Sequence, residues 1–567
     1  MAKSKWEYGA AIVALFVGGL SLAACGGGGG GGSAAPTLTT VSPPPPPPPP
    51  PASQGPTWTQ GVFEPANAFE NRCAAPRSGT DIEGNTFPDL AGSLLEELFW
   101  LRSWTNETYL WNDEVTDQDP NGFSNRVTYF NQLRTFATTP SGESRDDFHF
   151  SEPTTEFLER RNSTASAGYG LNFVVFSDTV PRDFRVRYTE PNSPASAQNS
   201  GITNFVRGTR ILEVDGVDLV NATSASDVNT LNAGLFPSNA NESHTFVVQD
   251  PGAASTRTVT ITSADISVQP VNRTTTVDTG TGRVGYILFN TFSPFSSEAD
   301  IANAITAMSN QGVTDLVLDL RYNGGGLLTV ASQLSYMIAG PARTNGRTFE
   351  LLRFNDDAGN TNPVTGAFNS PIPFRNTGAG FTLANGVPLD DLNLNRVFVL
   401  ATERTCSASE AVINGLRGID VEIILIASPG GETSTADTCG KPFGFYPEDN
   451  CGETYYTIHF LGVNDKGFGD YTDGFIPNIS RASFGVRVAG CVVADDFSKE
   501  LGDPTEAMFA AALDYRANQT CPTPAPETGA PASVPMVSSK TAIGTVATSP
   551  MTPAEDFLST NRDMTQP

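Results

Sequence analysis

Histidine and basic residues are scarce in this 567-residue chain, and their scarcity argues against several functions. The histidines are His149, His244 and His459, and none stands at zinc-site spacing from another histidine or from a cysteine. The chain also lacks a Cys-x-x-Cys pair, so we expect no metal and no other cofactor. Lysine and arginine number 34 against 61 aspartates and glutamates, giving a net charge of −27. A chain this acidic does not attract nucleic acid or anionic lipid by charge.

No apolar run is long enough to cross a bilayer as a helix. Residues 9–24 form the longest one, about 16 mostly apolar residues after two early lysines, which is typical of a signal peptide. The run ends in LAAC, residues 22–25, which resembles the bacterial lipobox, where the cysteine is acylated and becomes the new N-terminus. We therefore predict that residues 1–24 are removed and that Cys25 carries a lipid. This places the protein in the cell envelope of a bacterium, anchored in the outer membrane and facing the periplasm or the surface.

Low-complexity segments border the part of the chain that can fold. Seven glycines follow Cys25, and nine prolines occupy Pro43–Pro51, a composition that gives a flexible tether with a stiff spacer. The C-terminal end is rich in Pro, Thr, Ala and Ser, which predicts a disordered tail. The length allows two to four domains. The predicted parts are a signal peptide (1–24), a lipidated linker (25–57), an N-terminal helical region (58–160), a β-rich domain (165–265), an α/β core (275–520) and the tail (521–567).

Periodicity separates the folded parts. Residues 90–135 space their aromatics and leucines as a helix does, which predicts a packed helical cap. Residues 165–265 contain short β-type segments such as AGYGLNFVVF, GTRILEVDGVDL and HTFVVQD. From residue 275 onwards, strands alternate with helices, which predicts an α/β core with a mostly parallel sheet.

One helix and three strands of that core are well marked. The stretch EADIANAITAMSNQG places Ile301, Ala304, Ile305 and Met308 on one helical face, with Gly312 as a stop. The segments LVLDL, VFVLA and VEIILIA are almost wholly apolar, as parallel strands buried on both faces are. Functional sites of such sheets gather at the C-terminal ends of the strands.

Two loops follow predicted strands at such ends. One is DLRYNGGG, residues 319–326, and the other is ERTCSASEAVINGL, residues 403–416. A glycine triplet exposes backbone N–H groups that could hold a phosphate or a developing oxyanion. The chain's Gly-Lys candidate for a nucleotide loop has Thr435 and Pro442 where a Walker sequence needs Gly and Ser or Thr, which favours the oxyanion interpretation.

The serine doublet of the second loop has two interpretations. Ser407 could present its hydroxyl as a nucleophile at a helix N-terminus, with the Ala408 N–H as an oxyanion donor. Alternatively, Ser407 or Ser409 is an N-cap, with Glu410 completing a capping box from Ser407. A nucleophilic serine also needs a base, and Lys441 follows the next strand and turn. A lysine can act as base if burial lowers its pKa from about 10.4 towards about 7.

Four stretches in sequence order resemble the signatures of the C-terminal processing (tail-specific) serine peptidases: GYILFNTF, DLVLDLRYNGGGLL, TCSASEAVINGLRG and GETSTADTCGKPFGF. The resemblance implies a crotonase-like α/β peptidase core in which Ser407 is the nucleophile and Lys441 the general base. It also implies an oxyanion hole built from the N–H groups of Ala408 and of Gly325, with Gly324 as the near alternative.

The β-rich region resembles a PDZ domain. The resemblance implies a carboxylate-binding loop at Gly168, Tyr169, Gly170 and Leu171. The expected partners are polypeptide substrates with free C-termini, and an adaptor lipoprotein that activates the enzyme is a further expectation.

The chain departs from the family pattern near the predicted base. Many members have Gln four positions after the lysine, where this chain has Phe445, and the stretch 431–441 is longer than usual. Two alternatives therefore stay open: a catalytically inactive peptide-binding lipoprotein on the same fold, and a crotonase-like acyl-CoA enzyme that does not need Ser407.

Six cysteines besides Cys25 favour disulfides in an exported protein. If Ser407 and Lys441 meet, the neighbouring Cys406 and Cys439 are carried together and can form a disulfide. The alternatives for Cys406 are a buried free thiol and a nucleophile activated by Lys441. The most economical remaining pairs are Cys451–Cys491 and Cys73–Cys521.

Overall fold

The computed structural model describes residues 55–146, 148–162, 165–429 and 437–524. The predicted signal peptide, Cys25 and most of the linker lie outside these residues, as do positions 430–436 before Lys441 and the tail from residue 525. Within the described ranges, no helix has the length and apolar content needed to cross a membrane.

The N-terminal region is built around one 15-residue helix. This helix, Leu94–Thr108, begins after Ser93, whose hydroxyl accepts the Glu96 N–H at 3.3 Å. Its Trp100 and Trp104 rings stack at 5.1 Å and pack against Tyr455 of the core. The elements of the region are β1 (Arg72–Cys73), β2 (Leu90–Ala91), α1 (Leu94–Thr108), α2 (Arg126–Phe130), β3 (Phe150–Pro153) and α3 (Thr154–Asn162).

A second region forms an antiparallel sheet with its own apolar core. The sheet runs in the order β12-β11-β9-β6-β5, with β10 paired to β9, and β4 pairs separately with β13. Its core includes Phe173, Val186, Ile211, Leu231 and Phe246. The elements are β4 (Ala165–Gly168), β5 (Leu171–Ser177), β6 (Asp183–Thr189), β7 (Gln198–Asn199), β8 (Ile202–Thr203), β9 (Arg210–Val214), β10 (Val217–Asp218), α4 (Ala225–Leu235), β11 (Ser243–Gln249), β12 (Arg257–Thr262) and β13 (Ala264–Ser267).

The third region confirms the predicted mostly parallel sheet. Its order is β14-β15-β16-β19-β20-β27, and every pair is parallel except β14 with β15. The predicted amphipathic helix is present, with Ile301, Ile305 and Met308 buried. The first elements are β14 (Val271–Thr279), β15 (Gly282–Phe289), α5 (Ser297–Asn310), β16 (Val313–Asp319), α6 (Leu328–Ala339), α7 (Pro341–Thr344), β17 (Thr348–Arg353), β18 (Ile372–Pro373), β19 (Arg396–Ala401), α8 (Ala408–Gly418) and β20 (Glu422–Ala427).

The sheet is covered on both faces. Ile287 and Phe289 of β15 join the core that contains α5, α6 and α8, whereas Tyr286 and Leu288 join the core under α9. The remaining elements are β21 (Phe443–Gly444), β22 (Glu448–Asn450), β23 (Glu453–Tyr456), β24 (Phe460–Val463), β25 (Phe475–Pro477), β26 (Val486–Val488), β27 (Gly490–Val492) and α9 (Ala507–Asn518). The protein is therefore a mixed α/β fold with several sheets, and the loops after β16 and β19 leave the carboxyl ends of neighbouring strands.

Candidate active site

Ser407 sits on a strained turn between β19 and α8. Its backbone adopts φ +55° and ψ −110°, a conformation that L-residues rarely adopt and that costs about 1–3 kcal/mol. The side chain is fully buried, and its hydroxyl makes no hydrogen bond within the described residues. The glutamate half of a capping box is formed, because the Ser407 N–H donates to Glu410 Oε2 at 3.0 Å. A buried hydroxyl without a partner needs an explanation, and a reacting role is one.

Ser409 is engaged elsewhere. Its hydroxyl donates to the carbonyl oxygen of Asn323 at 3.0 Å, and the Cys406 N–H donates to the same oxygen at 3.1 Å. Both contacts tie the turn of Ser407 to the glycine-rich loop. Of the two serines in the doublet, Ser409 has a structural role in this arrangement.

The glycine-rich loop lies beside the serine turn, but one predicted donor is occupied. The Gly325 N–H donates to Asn323 Oδ1 at 2.9 Å, so an oxyanion could use it only after this bond opens. Gly326 has φ +129°, and a Cβ there would lie 2.6 Å from the Phe292 carbonyl carbon. Ala408 is the first residue of α8, where an N–H has no acceptor inside the helix. The Ala408 N–H is therefore better suited to an oxyanion than the Gly325 N–H in this arrangement.

Lys441, two residues before β21, also contacts Glu410 beside the serine turn. It is fully buried, and its backbone N–H donates to Glu410 Oε2 at 2.8 Å. Its Nζ lies 3.4 Å from the centre of the Phe148 ring. The backbone N–H groups of Ser407 and Lys441 thus donate to the same carboxylate oxygen of Glu410. The Ser407 hydroxyl and the Lys441 amine are not hydrogen-bonded to each other.

Asp146 adds a buried carboxyl group near the lysine. It accepts the Tyr109 hydroxyl at 2.6 Å and the Phe148 N–H at 3.0 Å. Burial raises the pKa of Asp146, while these hydrogen bonds and the positive charge of Lys441 oppose the rise. Phe445, four positions after Lys441, is buried with its ring 5.4 Å from that of Tyr456.

Two histidines lie close by, but both are neutral packing groups. Burial lowers the pKa of His149 and of His459 to about 3. The His149 ring nitrogens contact Thr457 Oγ1 at 2.9 Å and the Phe130 carbonyl oxygen at 2.8 Å. His459 Nδ1 accepts the Tyr446 N–H at 3.0 Å. Neither histidine is hydrogen-bonded to Ser407.

The predicted carboxylate-binding loop precedes an edge strand. The main chain reverses at Gly170, which has φ +75°, and a Cβ there would lie 2.3 Å from the Ser193 Cβ. The Tyr169 hydroxyl donates to the Gly234 carbonyl oxygen at 2.9 Å, which fixes the loop against the end of α4. Gly168 ends β4 and Leu171 begins β5, whose outer edge pairs with no other strand of the described chain.

The disulfides confirm one predicted pair and correct two. Cys406 and Cys439 are bonded, with Cα atoms 5.2 Å apart. The pairs Cys451–Cys491 and Cys73–Cys521 were wrong, because β3 pairs with β23 and so brings the N-terminal region to Cys451, while the chain after α9 returns to β27. The pairs present instead are Cys73–Cys451 and Cys491–Cys521.

Glu410 is the site residue that sequence reasoning undervalued. It was considered only as the glutamate of a capping box, yet its carboxylate also accepts the Thr438 hydroxyl at 2.5 Å and the Gly440 N–H at 2.9 Å. The capping motif was the available signal, but the donors some 30 positions later were not foreseeable. Within the described ranges, no group of three or more His, Cys, Asp or Glu side chains is arranged to hold a metal ion.

Comparison with known proteins finds two domain models that match segments around this site. The domain model of peptidase family S41 matches residues 283–439, and that of the peptidase S41 N-terminal domain matches residues 99–151. The first match contains the glycine-rich loop and Ser407, and the second contains α1 from residue 99 onwards and Phe148. Residues 283–439 and 99–151 are therefore similar to the two domains of S41 peptidases.

Two curated relatives are similar over part of their length. The chloroplastic C-terminal processing peptidase of Tetradesmus obliquus is 31% identical over 205 residues, which cover 33% of this chain and 42% of the relative. The carboxyl-terminal-processing protease of Picosynechococcus sp. is 31% identical over 151 residues, covering 26% and 32%. The chain thus spans less than half the length of these relatives.

The fold is also found among solved structures. A protein of Bacteroides fragilis NCTC 9343 assigned to the S41 proteases superposes with a TM-score of 0.52 at 20% identity. The superposition covers 77% of this chain and 99% of that one. The S41 peptidase fold therefore extends over most of the chain.

Proposed function

We propose that this protein is a serine endopeptidase that cleaves exported proteins or peptides with a Ser407/Lys441 dyad. The observation that carries the proposal is the strained, fully buried Ser407, whose hydroxyl has no hydrogen-bond partner at the first turn of α8. The low pKa values of His149 and His459, both caused by burial, leave Lys441 as the better candidate for the base.

The chemistry proceeds by acyl transfer. The neutral Lys441 amine accepts the Ser407 hydroxyl proton as the serine oxygen bonds to the scissile carbonyl carbon. The carbonyl oxygen becomes an oxyanion, which the Ala408 N–H stabilises together with an N–H of the glycine-rich loop. The C–N bond then breaks as the Lys441 ammonium protonates the leaving amine. Water, deprotonated by the same lysine, hydrolyses the acyl-enzyme and regenerates Ser407.

This sequence needs two local movements. The Lys441 amine has to leave the Phe148 ring for the Ser407 hydroxyl, and the Gly325 N–H has to leave Asn323 unless Gly324 provides the second donor. Catalytic hydrogen bonds of ligand-free enzymes often form only when substrate binds. The present arrangement is then the resting state of the dyad.

We further propose that residues 165–265 act as a PDZ domain that selects substrates by their C-termini. The unpaired outer edge of β5 can accept a peptide as an added strand, and the loop Gly168–Leu171 lies at the start of that edge. A peptide and its C-terminally amidated form should then differ in affinity, and equal binding contradicts the assignment. The proposal also includes a lipid on Cys25, a location in the bacterial cell envelope and an adaptor lipoprotein that activates the enzyme.

A second candidate is a peptide-binding lipoprotein without catalytic activity. Two observations favour this inactive binding protein: the Lys441 amine lies against the Phe148 ring, and the side chain of Phe445 is apolar. Two assays distinguish the peptidase from the inactive binding protein: hydrolysis of denatured casein and labelling by a fluorophosphonate. Under the peptidase proposal the wild type cleaves and is labelled, Ser407→Ala and Lys441→Arg lose activity while folded, and Ser409→Ala keeps much of it. A folded wild type that neither cleaves nor reacts supports the binding protein.

A further inference from the structure

The Glu410 carboxylate has four donors and is fully buried. Oε1 accepts the Thr438 hydroxyl at 2.5 Å and the Gly440 N–H at 2.9 Å. Oε2 accepts the N–H groups of Ser407 at 3.0 Å and of Lys441 at 2.8 Å. An ionised carboxylate offers about four lone-pair sites, and all of them are used here.

The hydrogen-bond pattern defines this group as an acceptor at every site. The Thr438 hydroxyl accepts the Phe475 N–H at 2.8 Å, so its own hydrogen is directed to Glu410. The other three donors are backbone N–H groups, which cannot reverse their role. Burial raises the pKa of Glu410, and the four hydrogen bonds act against that rise. The four-donor pattern is satisfied only by the carboxylate anion.

The two segments joined by this anion carry the proposed nucleophile and the proposed base. Ser407 and Lys441 are 34 positions apart, yet their backbone N–H groups end on the same oxygen. The Cys406–Cys439 disulfide also links these segments, but through residues one and two positions away. Glu410 is therefore the direct connection between the two main chains.

We infer that Glu410 is a positioning residue that sets the register of Lys441 relative to Ser407. The inference rests on the proposed peptidase function and deepens it. Glu410 acts through the backbone and does not touch the reacting atoms, so its removal should slow the chemical step without weakening substrate binding. A displacement of about 1 Å at a catalytic group can lower a rate by about 10²-fold.

The test is Glu410→Gln, which keeps the shape but replaces one acceptor oxygen by an NH₂ group facing two donors. We expect kcat to fall by about 100-fold, KM to stay within about twofold, and fluorophosphonate labelling of Ser407 to slow in parallel with kcat. Because a merely structural loss reduces the folded fraction rather than the rate per labelled site, the rate constant of labelling distinguishes the two roles.

Glu298→Gln is the matched control. Glu298 is also buried, and its carboxylate accepts the N–H groups of Ala379, Thr382 and Leu383 and the Gln333 side chain. The same substitution there disturbs a comparable set of bonds, which joins α5 to residues 379–383 and to α6 and includes neither Ser407 nor Lys441. We expect a similar loss of thermal stability but a kcat within about twofold of the wild type.

A second pair of variants covers the case in which Glu410→Gln does not fold. Thr438→Val removes one of the four donors and should lower kcat by about tenfold, while Thr438→Ser restores part of the lost rate. The inference is overturned if the folded Glu410→Gln has the kcat of Glu298→Gln, or if Thr438→Val matches Thr438→Ser. In that case only the positioning role of Glu410 is refuted, and the peptidase function stands because Ser407→Ala still abolishes cleavage. An inactive wild type, or an active Ser407→Ala, overturns the peptidase function and this inference with it.

Discussion

The side-chain nitrogen of Lys441 lies 3.4 Å from the centre of the Phe148 ring, in the segment matched by the S41 N-terminal domain. A ring face attracts an ammonium by about 0.5–2 kcal/mol, so the Phe148 ring competes with the Ser407 hydroxyl for the Lys441 amine. Phe148→Leu keeps most of the volume without the ring. We expect fluorophosphonate labelling of Ser407 at neutral pH to become about threefold to tenfold faster. An unchanged or slower rate in a folded variant contradicts the resting-state interpretation.

Glu190 should make stability depend on pH. Burial raises its pKa to about 7, against hydrogen bonds from Gln269 and Asn272 that lower it. Because the folded state binds this proton more tightly, the contribution is full below pH about 4.5 and is lost as the pH rises through 7. Glu190→Gln should be more stable than the wild type at pH 8.5, by up to about 3 kcal/mol, and similar at pH 4. Denaturant unfolding at both values measures this, and a pH-independent difference refutes it.

The Cys406–Cys439 disulfide should be structural rather than reactive. It closes a loop of sequence separation 33, so replacing both cysteines by alanine should remove about 3–4 kcal/mol of stability. Peptide mapping without reduction should recover the two cysteine peptides joined. A Cys406 peptide that alkylates before reduction rules the bond out, and activity lost to mild iodoacetamide would favour the cysteine nucleophile.

Asp495 should protect the fold at low pH. Its carboxylate pairs with Arg207 at 2.6 Å and with Arg321 at 2.6 Å. Although burial raises its pKa, the two arginines dominate and lower it to about 2. The depressed pKa contributes stability that is present above pH about 3.8 and lost as the pH falls through 2.

Asp495→Asn leaves both arginines without this charge. We expect a loss of about 3–5 kcal/mol at pH 7, measured by denaturant unfolding, and a difference from the wild type that shrinks below pH 3. An equal loss at pH 7 and at pH 2.5 means that packing, rather than charge, is responsible.

Local periodicity allowed the core of the fold to be predicted. The buried face of α5 follows the helical spacing of Ile301, Ile305 and Met308, and the apolar strands β16, β19 and β20 lie side by side as expected. The Cys406–Cys439 pair was predictable because both cysteines adjoin residues expected to meet.

Contacts between distant segments were not predictable in the same way. The pairing of β3 with β23, which brings Cys73 to Cys451, depends on how the N-terminal region packs on the core. The position of the Lys441 amine depends on Phe148, nearly 300 positions earlier, and no local pattern encodes that contact. The family pattern indicated which residues could react, but the resting arrangement required the tertiary structure.

The Cys73–Cys451 bond spans 378 positions and so encloses the β-rich region and most of the parallel sheet. A single backbone cut anywhere between these cysteines leaves two fragments that stay covalently joined. Surface loops inside this span are accessible to such cuts, as the 73% exposure of Phe368 illustrates. In an oxidising compartment, a molecule nicked there by another peptidase, or by a second copy of itself, keeps its full mass until the bond is reduced.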